Sequence, residues 1–209
     1  MTLPTTTCTV RRIRADRDVK RSEREIMSKV EVKQSPIKGK GVFATRPIAT
    51  GEVVLRIDDS VVVDPDDPVL GKLIGSEPDP CDYLPDGTVI LMQAPERYIN
   101  HGCDPNVYIF TLGKDRFILA MRDIAQGAEV LFDYAIDVVG GDWLDCLCGS
   151  PNCRGRHRSD FFCLPTAKQL EYLPYLGIPF VEIHREKILG LLKSGAEPSA
   201  AGDADKPRA

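Results

Sequence analysis

Between about residues 29 and 134, apolar and polar positions alternate in bursts of four to seven residues, each closed by turn formers. In chain order the bursts read KVEV, GVFAT, EVVLRI, SVVV, TVILM, NVYIFTL, RFILAM and EVLFDY. Runs this short, rich in Val, Ile and Phe, predict β-strands. Gly113-Lys114-Asp115, between two of them, predicts a hairpin turn. Nothing in this stretch keeps a helical period for a useful length, which argues against a parallel βαβ architecture. The expected fold is therefore mainly β. Arg46-Pro-Ile-Ala-Thr-Gly-Glu-Val is echoed by Arg122-Asp-Ile-Ala-Gln-Gly-Ala-Glu-Val, which reads as one turn device used twice.

After residue 135 the pattern changes. Residues 141–163 are rich in Gly, Cys and Arg and offer little to bury. Thr166 and Gln169 form a candidate capping box for a short helix that Pro174 would end. Val181, Ile188, Leu191 and Leu192 predict a second, amphipathic helix over 180–192. The chain thus divides into a basic arm (1–27), a β body (28–135), a linker with a Cys-rich motif (136–163), a helical segment (164–193) and a tail expected to be disordered (194–209).

A length of 209 residues suits one domain with a small appendage, and 43% hydrophobic with 28% charged residues is ordinary for a soluble protein. The net charge of −4 argues against a dedicated nucleic-acid binder, which needs a basic face. Its distribution says more. Residues 58–86 hold nine Asp or Glu against one basic residue, Lys72. Such a stretch could steer a basic peptide into a cleft, or serve only as a solvated loop. No apolar run approaches the roughly 18 residues that a membrane span requires. The start, MTLPTTTCTVRRIRADRD, lacks an apolar signal segment, so an intracellular protein is expected, cytoplasmic or, in a eukaryote, nuclear.

Of seven cysteines, Cys146, Cys148 and Cys153 fall within eight residues, while Cys8, Cys81, Cys103 and Cys163 stand apart. In a reducing compartment a tight cluster reads as a metal site. A CxC pair is too close for an easy mutual disulfide. Structural zinc takes four ligands in a closed tetrahedron. Cys103, His157 and Cys163 are the candidates for the fourth, and spacing alone does not choose among them.

Four separated segments carry the remaining chemistry: GKGVFA at 39, RYINHGCDPN at 97, GAEVLFDY at 127 and CLCGSPNCRG at 146. In order and relative position they resemble the SET domain and post-SET zinc tail of protein-lysine methyltransferases, over roughly residues 28–158. The resemblance implies a SET fold with a pseudoknot that brings residues 100–104 against 132–134. It implies S-adenosylmethionine as cofactor, with Lys38, Gly39, Lys40 and Gly41 at its methionine end and Asn100 and His101 at its adenosine end. Leu147 would pack near the adenine, and Tyr83 would line the same region. Cys103 would complete the zinc set, leaving no open position for a catalytic metal. Tyr134 matches the catalytic tyrosine, in a positioning role. Phe132 occupies a position where the family carries Phe or Tyr, and Phe implies room for two or three methyl groups. Gly102 replaces the usual Ser, which implies a looser segment. The expected substrate is a lysine-containing protein or peptide, a histone tail or another basic protein. The rival readings are a silent SET-like binding scaffold and a zinc-ribbon nucleic-acid module using Arg154, Arg156, His157 and Arg158.

Overall fold

The computed structural model describes residues 29–74, 80–84 and 86–196. The basic arm, with Cys8, and residues 197–209 of the expected tail lie outside the described residues. Among the described residues, eleven short strands form five small sheets. Strands β1 (Val30–Gln34) and β2 (Lys40–Ala44) make an antiparallel pair. Strands β3 (Val53–Arg56), β7 (Val107–Leu112) and β8 (Asp115–Ala120) make a three-stranded sheet in the order β3-β8-β7. Strands β4 (Cys81–Tyr83) and β5 (Val89–Leu91) form an antiparallel ribbon. The two-residue strands β6 (Asn100–His101) and β9 (Leu131–Phe132) pair in parallel, although 29 residues of chain separate them. Strands β10 (Trp143–Asp145) and β11 (Arg156–Arg158) close the Cys-rich segment as a second ribbon. Helices α1 (Thr166–Tyr172), α2 (Ile178–Ile183) and α3 (Arg185–Ala196) follow. Among the described residues, no helix is long and apolar enough to cross a membrane.

Alternation places one face of each long strand inside. Val42 and Ala44 of β2 and Ile118 and Ala120 of β8 are buried, and each meets the same aliphatic core. Burying a valine or isoleucine side chain contributes about 1.5–3 kcal/mol. The internal echo has a structural meaning, because its two copies pair with each other. Ile48 and Ile124 exchange both backbone hydrogen bonds, at 2.9 and 2.8 Å, and both side chains are buried. Gly51 and Gly127 turn the chain with φ of 78° and 81°, a region that favours glycine.

Several expectations need correction. The hairpin loop is Gly113-Lys114 alone, with Asp115 already paired to Leu112. The SVVV run contributes one isolated bridge, Val62 to Ile90, rather than a strand. Thr166 caps nothing: Pro165 holds the N-cap position, and Gln169 instead donates to the Leu164 carbonyl at 2.7 Å. The helix expected over 180–192 is two, broken at His184 (φ −106°, ψ 22°). The break lets the His184 ring pack against Phe180 and Phe162, with centroids 4.6 and 5.3 Å away. Phe180, Ile188 and Leu191 face inward, whereas Leu192 is exposed. Helix α3 continues to Ala196, so the expected tail begins as helix.

Candidate active site and thiolate cluster

The parallel pair β6–β9 is the scaffold of the site. Asn100 lies opposite Leu131 and His101 opposite Phe132, and the Gly102 N–H donates to the Phe132 carbonyl at 3.0 Å. Residues 100–102 and 131–134 therefore meet, as the resemblance implies. Side chains tighten the crossing. Asn106 donates to the Glu129 carbonyl and accepts from Leu131 N–H, each at 2.8 Å. Asn100 Nδ2 donates to the Lys40 carbonyl at 3.0 Å and to Glu129 Oε1 at 2.8 Å. Ser35 donates to Glu129 Oε2 at 3.0 Å. Glu129 thereby ties the 35–41 loop to the crossing, a role that sequence reasoning missed although the residue stands in the GAEVLFDY motif.

The glycines divide by purpose. A Cβ on Gly41 would collide with Glu129 Oε1, so Gly41 makes room for that carboxylate. Gly39, at φ 52°, faces open space. Gly102 is not loose. It is buried, its N–H is bonded, and a Cβ there would meet Leu131 Cβ at 2.9 Å. The Leu131 side chain fills the space a serine would need, which explains the departure.

Tyr134 donates its hydroxyl hydrogen to the Ile99 carbonyl at 2.8 Å. Desolvation pushes its pKa up to about 12, so the phenol stays protonated at neutral pH. Its backbone N–H points at His101 Nδ1, 3.3 Å away. That fixes the tautomer: the ring proton rests on Nε2, which faces Cys103 Sγ at 3.4 Å. Desolvation lowers the His101 pKa to about 4, so the ring is neutral. His157 stacks on His101 with centroids 3.8 Å apart and meets the edge of Tyr134 at 5.9 Å.

The sulfurs of Cys103, Cys146, Cys148 and Cys153 all lie within 4.8 Å of one another, and Cys103 and Cys146 are 3.6 Å apart. A tetrahedral zinc with Zn–S near 2.3 Å sets ligand sulfurs about 3.8 Å apart, so the donor set fits. Neither Cys163 nor His157 joins this cluster. Backbone N–H groups of Arg154 and Gly155 point at Cys103 and Cys153 sulfurs, each at 3.4 Å, as thiolates require.

Other placements are plainer. Leu147, between two cluster cysteines, is 68% exposed, and Tyr83 stands 52% exposed on β4. Lys38 is exposed, close enough to His157 for its charge to oppose protonation of that ring. Lys40 lies over the Tyr98 ring at 5.0 Å. Phe132 is half-buried with its ring 6.4 Å from Tyr134. Nδ1 of His157 is buried without a partner in the protein. A buried polar nitrogen without a bond costs about 1–3 kcal/mol. That orphan is the kind of buried polar atom that a bound polar ligand satisfies.

The basic patch of the nucleic-acid reading is largely spent. Arg154 is bonded to Asp133, Arg158 to the Gly141 carbonyl, Arg156 pairs with Asp145, and His157 is buried. The acidic stretch is partly spent too. Asp59 and Asp82 both bind Arg116, at 2.6 Å each, and Asp58, Asp64, Asp67 and Asp86 accept backbone N–H groups just ahead of them.

A family model, the SET domain, matches residues 39–135. Over this stretch the chain is similar to SET domains. An H3 lysine-36 specific histone-lysine N-methyltransferase of Aspergillus oryzae is 43% identical over 63 residues, 28% of this chain and 6% of that protein. An H3 lysine-9 specific enzyme of Neurospora crassa is 34% identical over 104 residues, 38% of this chain and 31% of that one. Another of Fusarium mangiferae is 33% identical over 142 residues, 55% of this chain and 41% of that one. The chain thus spans less than half the length of these relatives. The SET match ends at Ala135, before the last three cysteines of the cluster and before all three helices.

Proposed function

We propose that the protein is an S-adenosylmethionine-dependent lysine methyltransferase acting on a basic protein, a histone tail being the first substrate class to try. One observation carries this reading: the Tyr134 hydroxyl, held at the β6–β9 crossing by the Ile99 carbonyl and kept protonated by burial. The names of the relatives, all histone-lysine methyltransferases, support the substrate class.

The reaction needs a neutral amine. A free lysine is about 99.9% charged at neutral pH, so forming the nucleophile costs roughly 4–5 kcal/mol. A desolvated channel lowers that cost. The cofactor supplies a methyl group on a cationic sulfonium. Tyr134 is too weak an acid to serve as an anionic base at neutral pH. Its hydrogen is engaged by Ile99, which leaves oxygen lone pairs to accept from the substrate amine and aim its own lone pair. Asn100, His101 and the 38–41 loop would hold the cofactor, with Leu147 over its adenine and Tyr83 at the rim. Cys103, Cys146, Cys148 and Cys153 would hold one structural zinc. Phe132 leaves the amine unhindered, so two or three methyl groups are expected, fewer in Phe132→Tyr.

The test is methyl transfer from labelled S-adenosylmethionine to mixed basic proteins, with mass spectrometry of the products. Tyr134→Phe should lower kcat about 100-fold, as misaligned reacting groups do. No transfer by the unaltered protein to any basic substrate, or full activity in Tyr134→Phe, would overturn the proposal.

A further inference from the structure

Asp133, between Phe132 and Tyr134, is completely buried. Its carboxylate accepts four hydrogen bonds: from Arg154 at 2.7 and 2.9 Å, from the Tyr172 hydroxyl at 3.1 Å and from Ala135 N–H at 3.1 Å. A carboxylate offers about four lone-pair sites, so Asp133 is saturated and is no reactant. Its donors come from three parts of the chain. Ala135 belongs to the same turn, Arg154 follows the cluster cysteine Cys153, and Tyr172 ends α1, outside the SET match.

Tyr172 is the unexpected member. It is completely buried in an otherwise apolar core that phenylalanine would fill as well. A buried phenol needs a partner, and here the partner is Asp133. The turn that this bond holds is the one that carries the site. Ile136 N–H closes on the Asp133 carbonyl at 2.9 Å, and Tyr134 N–H points at His101. On one side, the half-buried Phe132 packs against both hydrophobic cores of the molecule.

We infer that Tyr172 is a positioning residue for methyl transfer: through Asp133, it and Arg154 clamp the backbone that presents Phe132 and Tyr134. The C-terminal helices are then a working part of the active site. The inference rests on the proposed function for its kinetic consequence, but the clamp itself is a property of the fold. A small shift of the phenol alters the angle at which the amine attacks, so the clamp acts on kcat rather than on cofactor binding.

Tyr172→Phe removes the hydroxyl and keeps the ring, and Tyr175→Phe is the control. Tyr175 lies in the same C-terminal segment, where its ring packs on Tyr108 at 5.0 Å. Tyr172→Phe should lower kcat five- to twenty-fold while KM for S-adenosylmethionine stays within twofold, and Tyr175→Phe should leave both unchanged. Hydrogen–deuterium exchange of residues 131–136 should quicken in Tyr172→Phe and not in Tyr175→Phe. A Tyr172→Phe protein with unaltered exchange there overturns the clamp whether or not any substrate is methylated. Quickened exchange with an unchanged kcat in an active enzyme overturns its role in positioning. Absence of transfer by the unaltered protein strikes the proposed function, and the exchange result still judges the clamp. Should Tyr172→Phe fold poorly, Asp133→Asn, which keeps the shape and gives up the charge, is held to the same two readings.

Discussion

The two hydrophobic cores of this protein are assembled by different means. The first, from Val30 to Val130, is aliphatic throughout its buried members and is closed by backbone ladders: β1–β2, β3-β8-β7 and the Ile48–Ile124 bridge. The second, from Ala135 to Leu191, draws on a turn, a 3-10 segment and three helices, and it buries aromatic rings and one phenol. Helices α1 and α2 span seven and six residues, too short to persist without tertiary packing. The first core is therefore stabilised by a repeating main-chain pattern and the second by a few side chains. The turn that carries the proposed catalytic Tyr134 lies where they meet. Tyr134 hangs from Ile99 of the first core, and Asp133 hangs from Tyr172 of the second. A site at such a seam can be disturbed from either side, and the two disturbances should look different.

The largest predicted difference comes from the thiolate cluster. Structural zinc sites contribute on the order of 10 kcal/mol of binding free energy that is also folding free energy. Cys148→Ser removes one of the four cysteines proposed to hold zinc, in the segment that follows the first core. It should release zinc to a chromogenic chelator and lower Tm by roughly 6–12 °C, about 3 kcal/mol for a chain of this size. Limited proteolysis should cut first within 140–196 while 30–130 stays protected. Simultaneous loss of both regions would show that the cores are one cooperative unit and would break the comparison.

The same contrast decides what could be read from the sequence. The first core was legible because its strands alternate and its turns carry glycine; even the Ile48–Ile124 bridge left a visible echo. The site motifs were legible as well, since Asn100, His101, Cys103, Tyr134 and the three tail cysteines each stand in a dense, unusual run. The partners of Asp133 were hidden. Arg154 looked like surface charge, and Tyr172 is one tyrosine in a polar helix, with nothing local to show that a carboxylate 39 residues earlier receives its hydroxyl. The thiol set shows the same limit in part, because spacing does not separate Cys103, His157 and Cys163; the resemblance pointed to Cys103, and folding sets its sulfur beside the other three. The capping box failed for a local reason: Pro165 already occupies the cap position, so Gln169 turned to the Leu164 carbonyl.

Gly102 tests the seam from the first core. A serine there would push its Cβ to within 2.9 Å of Leu131 Cβ and 3.0 Å of its Cδ1. Overpacking of this kind costs about 1–3 kcal/mol. Gly102→Ser should lower Tm by roughly 2–12 °C and quicken exchange across 100–102 and 131–132, with zinc retained. Unchanged exchange and Tm would mean that Leu131 yields easily, and that the glycine has no packing reason.

The smallest effect is electrostatic and has opposite sign in the two regions. In the first, hydrogen bonds from Arg46 and Lys29 hold the Glu52 pKa down, from 4.5 to about 2. Between those values the unfolded chain binds more protons, so this contribution is present above pH 4.5 and is lost as pH falls towards 2. In the second, desolvation pushes Asp137 up from 3.8 to about 6, even though Gly177 N–H reaches both its oxygens, at 2.8 and 2.9 Å. Here the folded chain binds more protons, so stability falls as pH rises from 3.8 to 6 and stays reduced above. Asparagine at 137 keeps an acceptor for Gly177, tolerates the φ of 64° and carries no charge to desolvate. Asp137→Asn should raise Tm at pH 7.5 by roughly 2–4 °C, about 1 kcal/mol, and should flatten the stability slope between pH 4 and 6 while leaving the acid loss governed by Glu52 in place. If the variant instead lowered Tm at pH 7.5, the buried charge would be contributing something that its single visible donor does not explain, and the electrostatic contrast between the two cores would fail.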